Sequence, residues 1–332
     1  MKVLIKNFPR QLEVAITIGQ QAKFTPVKKE IRNVLVSGLG GSGIGGMLVQ
    51  QWVGNRMALP MAVNHDYFLP AYVNEHTLLI IVSYSGNTEE TIYALQEGFQ
   101  KKAKIVCITS GGKVKAIAER NELDCIMLPG GRPPRACLGY TAIQQLFVLR
   151  AYQCISWDFT TALERAVKLL DQVQSVVQEE AQQIAEKLKD KLPIIYSNTA
   201  YEAVAIRFRQ QINENSKKLC WHHVFPEMNH NELVGWRTPS EQLAVIMLKD
   251  EHDYYRIKAR MKLTKEVFQQ YTATILEINT RGRTYLEKTM YFIHIGDWIS
   301  YYLSQLNGFD PTEVTVIDQL KASLAQLGDR LK

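Results

Sequence analysis

Along the chain a short run of apolar, largely β-branched residues repeatedly stops at small polar ones and gives way to a stretch of helical character. Residues 34–37 enter GLGGSGIGG, residues 77–82 enter SYSGNTEET, and residues 104–108 enter TSGGK. Runs of about four to eight apolar residues without polar alternation read as strands covered on both faces, and helices between them make the sheet parallel. Residues 89–101 begin directly after Asn87 and Thr88, which can cap a helix, and residues 142–151 carry apolar side chains at helical spacing. After a break at 154–158, residues 162–192 read as one long amphipathic linker helix rich in Gln, Glu and Lys. The strand pattern then restarts: residues 193–196 enter SNTAYEA, 243–248 enter KDEHDYY, and 273–278 enter NTRG. Strand and loop types recur in the same order, which predicts two similar α/β units in tandem, at 1–155 and 193–332, joined by 156–192. Where the first unit has SYSGNT the second has KDEHDY, so only the first is expected to hold a phosphate.

Composition narrows this further. A chain of 332 residues, 46% hydrophobic and 22% charged, is long enough for two ordinary domains and is not a disordered protein. No apolar run reaches the roughly 18 to 20 residues a membrane helix needs, and MKVLIKNFPRQLEVAITIG carries charge where a signal peptide is apolar. A soluble, cytoplasmic protein with no membrane partner is expected. Thirty-nine Lys and Arg against 33 Asp and Glu leave a net charge of +6, spread without a basic block that would follow a nucleic-acid backbone. A small anion suits that balance, and no nucleic-acid partner is expected. Cys107, Cys125, Cys137, Cys154 and Cys220 are odd in number and form no CxxC pair, so they read as reduced core residues.

The candidate chemistry lies in four segments. Gly38, Gly40 and Gly43 spell G-x-G-x-x-G after a strand, with Asp66 placed as a possible ribose partner; either the glycines bring backbone amides close to an anion or they serve a tight strand-to-helix turn. Ser83, Ser85 and Thr88, with Gly86 and Asn87 making the turn, supply three hydroxyls before a helix. That is a phosphomonoester cradle or a set of caps, and without a GK[ST] lysine it is not a P-loop. Loops at neighbouring strand ends converge on one crevice in such a sheet. Residues 129–140, PGGRPPRACLGY, are too rich in Gly and Pro for helix or strand and carry Arg132 and Arg135, either oxyanion stabilisers or solvated side chains.

Residues 213–236 hold the densest set of ionisable groups. Glu214, between two asparagines at a helix end, and His230, also between asparagines, suit proton transfer and the opening of a sugar ring. His222, His223, Glu227 and His230 could be read as metal ligands, but they lack H-E-x-x-H spacing and a helical period, so no metal is expected and His222 and His223 read as structural or surface residues. Trp221, Phe225 and Trp236 read as core. Residues 310–327 form a loop and then an amphipathic helix with Ile317, Leu320, Leu324 and Leu327 apolar and Lys321 beside them.

GLGGSGIGG, SYSGNTEET, PPRA, NENSK followed by NHNE, and DPTEVTVIDQLKASL, in that order over residues 33–327, resemble the bifunctional phosphoglucose/phosphomannose isomerase family of the sugar isomerase (SIS) superfamily. The resemblance implies an α/β fold of two tandem SIS-type units, each a mostly parallel sheet flanked by helices, and interconversion of glucose 6-phosphate or mannose 6-phosphate with fructose 6-phosphate through a cis-enediolate, without cofactor or metal. By position it implies that Gly41, Ser42, Ser83, Ser85 and Thr88 bind phosphate, Arg135 steadies the enediolate, and Glu214 is the base. It further implies that His230 opens the ring from the neighbouring subunit of a homodimer and that Lys321 lies near the ring oxygen. Thr312 is the nearest hydroxyl for the small residue that admits the mannose epimer. Two rivals are a non-catalytic sugar-phosphate sensor, which needs none of Glu214, His230 and Lys321, and an NAD-dependent enzyme built on Gly38, Gly40 and Gly43.

Overall fold

The computed structural model, which describes residues 1–327, carries two all-parallel sheets that share a middle layer of helices. Two N-terminal helices, α1 (Lys2–Lys6) and α2 (Phe8–Gln21), precede the first sheet. That sheet is built from β1 (Asn33–Ser37), α3 (Gly40–Val53), β2 (Met61–Asn64), β3 (Thr77–Ser83), α4 (Glu89–Gln100), β4 (Lys104–Thr109), α5 (Gly112–Arg120) and β5 (Asp124–Met127), in the strand order β2-β1-β3-β4-β5. Helices α6 (Leu138–Ala151), α7 (Phe159–Gln172) and α8 (Gln174–Leu188) lead to the second sheet. Its elements are β6 (Leu192–Asn198), α9 (Glu202–Ser216), β7 (Trp221–Phe225), β8 (Leu243–Lys249), α10 (Tyr255–Phe268) and β9 (Ile275–Asn279), in the order β7-β6-β8-β9. Helices α11 (Tyr285–Leu306) and α12 (Thr315–Leu327) close the described chain. The second order is the first without its last strand, as the tandem reading predicted.

Alternation along the strands explains the layering. Val34, Val36, Leu78 and Ile80 face the middle layer, whereas Leu35, Leu79 and Ile81 face the outer helices α4 and α5. Ile195, Ala244 and Ile246 enter the same middle core from the other sheet, and Ile194, Val245 and Met247 pack under α10. One continuous apolar core therefore belongs to both units. The most enclosed helix, α6, is buried at every position from Leu138 to Leu149 and so has no polar face to give water.

Four local expectations change. The expected long linker is two helices that break at Val173, with residue 192 already in β6, and both α7 and α8 pack on α11. Strands β2, β5 and β7 lie at sheet edges, where short and mixed sequences carry a weak signal. Residues 129–140 contain a 3-10 turn at Pro134–Ala136, and Tyr140 is already inside α6. Of the cysteines, all free, Cys107, Cys137 and Cys154 are buried while Cys125 and Cys220 are only partly so.

Candidate functional site

The loops after β1, β3 and β4 meet at the carboxyl ends of adjacent strands and are tied together by hydrogen bonds. Ser42, on the first turn of α3, accepts from the Tyr84 amide at 3.3 Å, which joins the glycine-rich loop to SYSGNT. The Asn87 carboxamide accepts from Lys113 N at 3.1 Å, and Val114 N donates to the Gly86 carbonyl at 3.0 Å, joining SYSGNT to the start of α5. Asn87 therefore caps α5, and Thr88, although it occupies the N-cap position of α4, makes no side-chain cap. Gly86 is obligatory here: its φ is +70°, and a Cβ would lie 1.8 Å from the Gly111 carbonyl oxygen.

Inside the loop, buried Ser83 donates to Thr88 at 3.1 Å and accepts from Gly86 N at the same distance. Its hydroxyl is used to shape the turn. Ser85 accepts from Asn87 N at 3.3 Å and is exposed, and Thr88 is half-buried. Among the described residues, the hydroxyl protons of Ser85, Thr88 and Ser42 have no acceptor, which leaves three donors for an anion.

The glycines of the first loop serve packing as well. A Cβ on Gly38 would lie 2.7 Å from the Val82 carbonyl oxygen, and one on Gly43 would collide with Gly38 O and the His65 ring, whose Nδ1 is 3.0 Å from Gly38 O. Gly40, at φ +53°, faces open space. Asp66 is exposed after β2 and accepts from the Tyr67 amide of its own turn.

Gly41 links this cradle to a cation and a carboxylate. The position its Cβ would take is 3.1 Å from the Pro134 carbonyl oxygen and 3.4 Å from Arg135 Cα, so the 3-10 turn lies directly on the glycine loop. Arg135 is buried, and its Nη1 donates to Glu214 Oε2 at 3.3 Å. Its Nε donates to Asn215 Oδ1 at 2.8 Å, and Nη2 to the carbonyls of Pro311 and Thr312 at 2.5 and 3.1 Å. Burial lowers the pKa of Arg135, while the nearby Glu214, Asp310 and Glu313 carboxylates oppose that shift. Arg132 plays no such part: it donates to the Tyr140 hydroxyl at 2.8 Å and stacks over that ring.

Glu214 lies in the last turn of α9, about three-tenths exposed, where a carboxylate keeps access to a ligand. Lys217, in left-handed conformation, ends the helix and donates to the Glu214 and Glu313 carbonyls at 2.6 Å each. It ties the segment before α12 to the site. The sequence reading missed Asn215 and Lys217, although the Asn-Glu-Asn-Ser run was the available signal.

Two expected residues are not brought to this centre within one chain. His230 is exposed in a 3-10 turn after β7, and Lys321 is exposed on α12, a helix with no buried residue. Val316, Ile317, Leu320, Leu324 and Leu327 of α12 are exposed as well. Thr312 contributes its carbonyl to Arg135, while its hydroxyl donates to Asp310 at 2.6 Å.

Among the described residues, no three His, Cys, Asp or Glu side chains form a metal-holding group. His223 binds Asn231 at 3.1 Å, Glu227 accepts from Asn231 at 2.7 Å, and burial pushes the His222 pKa down to about 4. Phe225 and Trp236 are buried as expected, whereas Trp221 is 38% exposed, because it opens the edge strand β7 and directs its indole N–H toward Glu232 at 3.4 Å. No helix among the described residues is long and apolar enough to cross a membrane.

The chain is similar to known proteins over nearly its whole length. Residues 29–152 match the SIS domain family, and residues 177–324 match the bacterial phospho-glucose isomerase C-terminal SIS domain. A bifunctional phosphoglucose/phosphomannose isomerase of Caldicellulosiruptor bescii is 39% identical over 98% of this chain and 99% of its own length. One from Aquifex aeolicus is 32% identical over 88% of this chain and 90% of its own. Among solved structures, a hypothetical protein of Thermus thermophilus superposes with a TM-score of 0.80 at 15% identity, covering 98% of this chain and 90% of that one.

Proposed function

The chain belongs to the bifunctional phosphoglucose/phosphomannose isomerase family, and from that premise we propose that it interconverts glucose 6-phosphate and mannose 6-phosphate with fructose 6-phosphate through a cis-enediolate, with Glu214 as the base. The observation that carries the reading is contiguity. The glycine loop beside the hydroxyl cradle backs directly onto Arg135, and Arg135 holds the Glu214 carboxylate at 3.3 Å.

In this reading Ser42, Ser85 and Thr88 donate to the phosphate, Ser83 holds their loop in shape, and Gly41 lets the turn of Arg135 approach. Binding energy taken from the phosphate, remote from the bonds that change, holds the open-chain sugar against Glu214. Glu214 removes the proton from C2 of the aldose and returns it to C1 while the hydroxyl proton passes from O2 to O1, and Arg135 stabilises the charge that develops on the enediolate oxygens. Return of the proton to opposite faces of C2 gives the glucose or the mannose epimer, so one base serves both once the intermediate turns. We assign ring opening to His230 of a second subunit in a homodimer and contact with the ring oxygen to Lys321. The exposed positions of both side chains support an assembly that covers them. The division into an anion-binding unit at 1–155, a connector at 156–192 and a catalytic unit at 193–332, and a cytoplasmic site of action, complete the proposal.

A coupled assay with glucose 6-phosphate and with mannose 6-phosphate, run in EDTA, tests the chemistry and its independence of metal together. Glu214→Gln should lose about 10²-fold or more of turnover, in keeping with the loss of a general base, while the thermal shift given by a 6-phosphoaldonate persists. Near-normal turnover in that variant would refute the role of Glu214. Stabilisation by NAD without isomerase activity would favour the nucleotide reading, and stabilisation by sugar phosphate without turnover the sensor.

A further inference from the structure

Arg135 has five N–H donors, and the protein accounts for four: one to Asn215, two to the carbonyls of Pro311 and Thr312, and one to Glu214. One N–H on Nη1 is left for a ligand. The direction of that last donor is fixed by whatever fixes the guanidinium plane, and its firmest side-chain support is Asn215.

Asn215 is fully buried and reaches both ways. Its Oδ1 accepts from Arg135 Nε at 2.8 Å, and its Nδ2 donates to Ser300 Oγ at 2.9 Å. Ser300, fully buried on α11, donates its single hydroxyl proton to the Asp297 carbonyl at 2.8 Å. With that proton committed, Ser300 Oγ can only accept from Asn215. The carboxamide is thereby oriented, NH₂ toward Ser300 and oxygen toward Arg135. The same turn of α11 steadies the arginine at its backbone, because the Asp297 carboxylate binds Arg207, and Arg207 donates to the Arg135 carbonyl at 3.1 Å.

The chemistry of the pair matters as much as its geometry. An aspartate at position 215 would accept the same Nε hydrogen bond, but it would also set a second negative charge beside a guanidinium that already faces Glu214. A neutral amide orients the cation without spending its charge.

We propose that Asn215, oriented by Ser300, is a positioning residue for the isomerisation: it aims the one free N–H of Arg135 at the enediolate while leaving the arginine's positive charge available to the transition state. This inference rests on the isomerase reading above. The relay runs from Asp297 through Ser300 and Asn215 to Arg135, so α11 sets the electrostatics of the reacting carbons.

The test is steady-state kinetics of Asn215→Asp, Ser300→Ala, Arg135→Ala and the Asn215→Asp/Arg135→Ala double variant, with melting temperatures measured alongside. Asn215→Asp should lower kcat between about 10- and 100-fold, short of the roughly 10²- to 10³-fold given by removing an oxyanion donor outright, with KM changed less than about threefold. In the Arg135→Ala background the same substitution should have no further effect, because the group it acts through is gone, an outcome that a merely structural role would not produce. If Asn215→Asp fails to fold, Ser300→Ala carries the test: it frees the carboxamide to turn and should lower kcat about 3- to 10-fold. Full kcat in both Asn215→Asp and Ser300→Ala while Arg135→Ala is impaired would overturn this inference alone, as would additive losses in the double variant. Full activity of Arg135→Ala would overturn it together with the assignment of Arg135.

Discussion

Neutralising Asp297 probes how α9 and α11 hold the site from behind. The Arg207–Asp297 pair is buried on both sides, with side chains 3% and 7% exposed and a 2.8 Å contact, and Gln211 donates to the same carboxylate. Burial pushes the Asp297 carboxyl pKa up, against the opposing pull of Arg207 and Gln211. Asp297→Asn keeps the shape but leaves the Arg207 cation without a counter-charge in a closed interior. Breaking a buried pair from one side costs about 3–5 kcal/mol, and the lower end applies because the amide oxygen still accepts one hydrogen bond. With an unfolding entropy of about 2.1 cal/mol/K per residue, a chain of 332 residues unfolding as one unit loses roughly 4 °C for 3 kcal/mol. Differential scanning fluorimetry at neutral pH measures it, with Glu13→Gln as the contrast. Glu13 pairs with Arg10 at the surface, with side chains 43% and 73% exposed, and its loss should shift melting by about 1 °C or less. The double substitution Arg207→Met/Asp297→Leu should recover part of the loss, since it leaves no charge unpaired, though the Arg135 carbonyl then lacks its donor. A melting temperature for Asp297→Asn within 1 °C of the parent would refute the premise that this pair is uncompensated once broken.

Two further outcomes follow from the same geometry. Ser85→Ala combined with Thr88→Ala removes two donors to a charged ligand, so KM for sugar phosphate should rise about 10-fold or more with kcat largely kept, and a fall in kcat alone would argue against the phosphate role. His294, fully buried against Phe8 and Trp298, has its pKa pushed down to about 4 by burial. The unfolded chain, titrating near 6.5, takes up that proton first, so stability should fall by about 3 kcal/mol as pH drops from about 6.5 to about 4, with no further loss from this group below that. Urea midpoints across that range measure it, and an unchanged slope in His294→Leu would exclude this residue as the source.

What the sequence disclosed divides along physical lines. The strands β1, β3, β4, β6, β8 and β9 were legible because most are interior strands, apolar on both faces; β3 is buried at every position. Edge strands β2, β5 and β7 were not, because one side of each faces solvent and their residues are mixed. Trp221 was misjudged for the same reason, since an aromatic residue on an edge need not enter the core. The break at Val173 escaped because no Gly or Pro marks it. At the site, Ser83, Ser85 and Thr88, and Arg132 together with Arg135, were legible as residue types suited to anions, whereas Ser42 and the choice of Arg135 came from the family resemblance. That Asn215 binds Arg135 and Lys217 binds Glu313 depends on contacts between distant segments, which no local pattern carries, whereas Ser83 shapes its own turn through the nearby Thr88 and Gly86.

All-parallel pairing also shapes how this chain reaches its native state. Val34 pairs with Met61 and Ile194 with Trp221, each across 27 residues of chain, and no hairpin offers a nearby nucleus. Loop closure of that length precedes most of the reward, so folding is expected to be slow for the chain's stability and to pass through species with bare strand edges. Refolding yield from denaturant should therefore decline steeply with protein concentration, and lower growth temperatures should favour recovery of soluble material during overexpression.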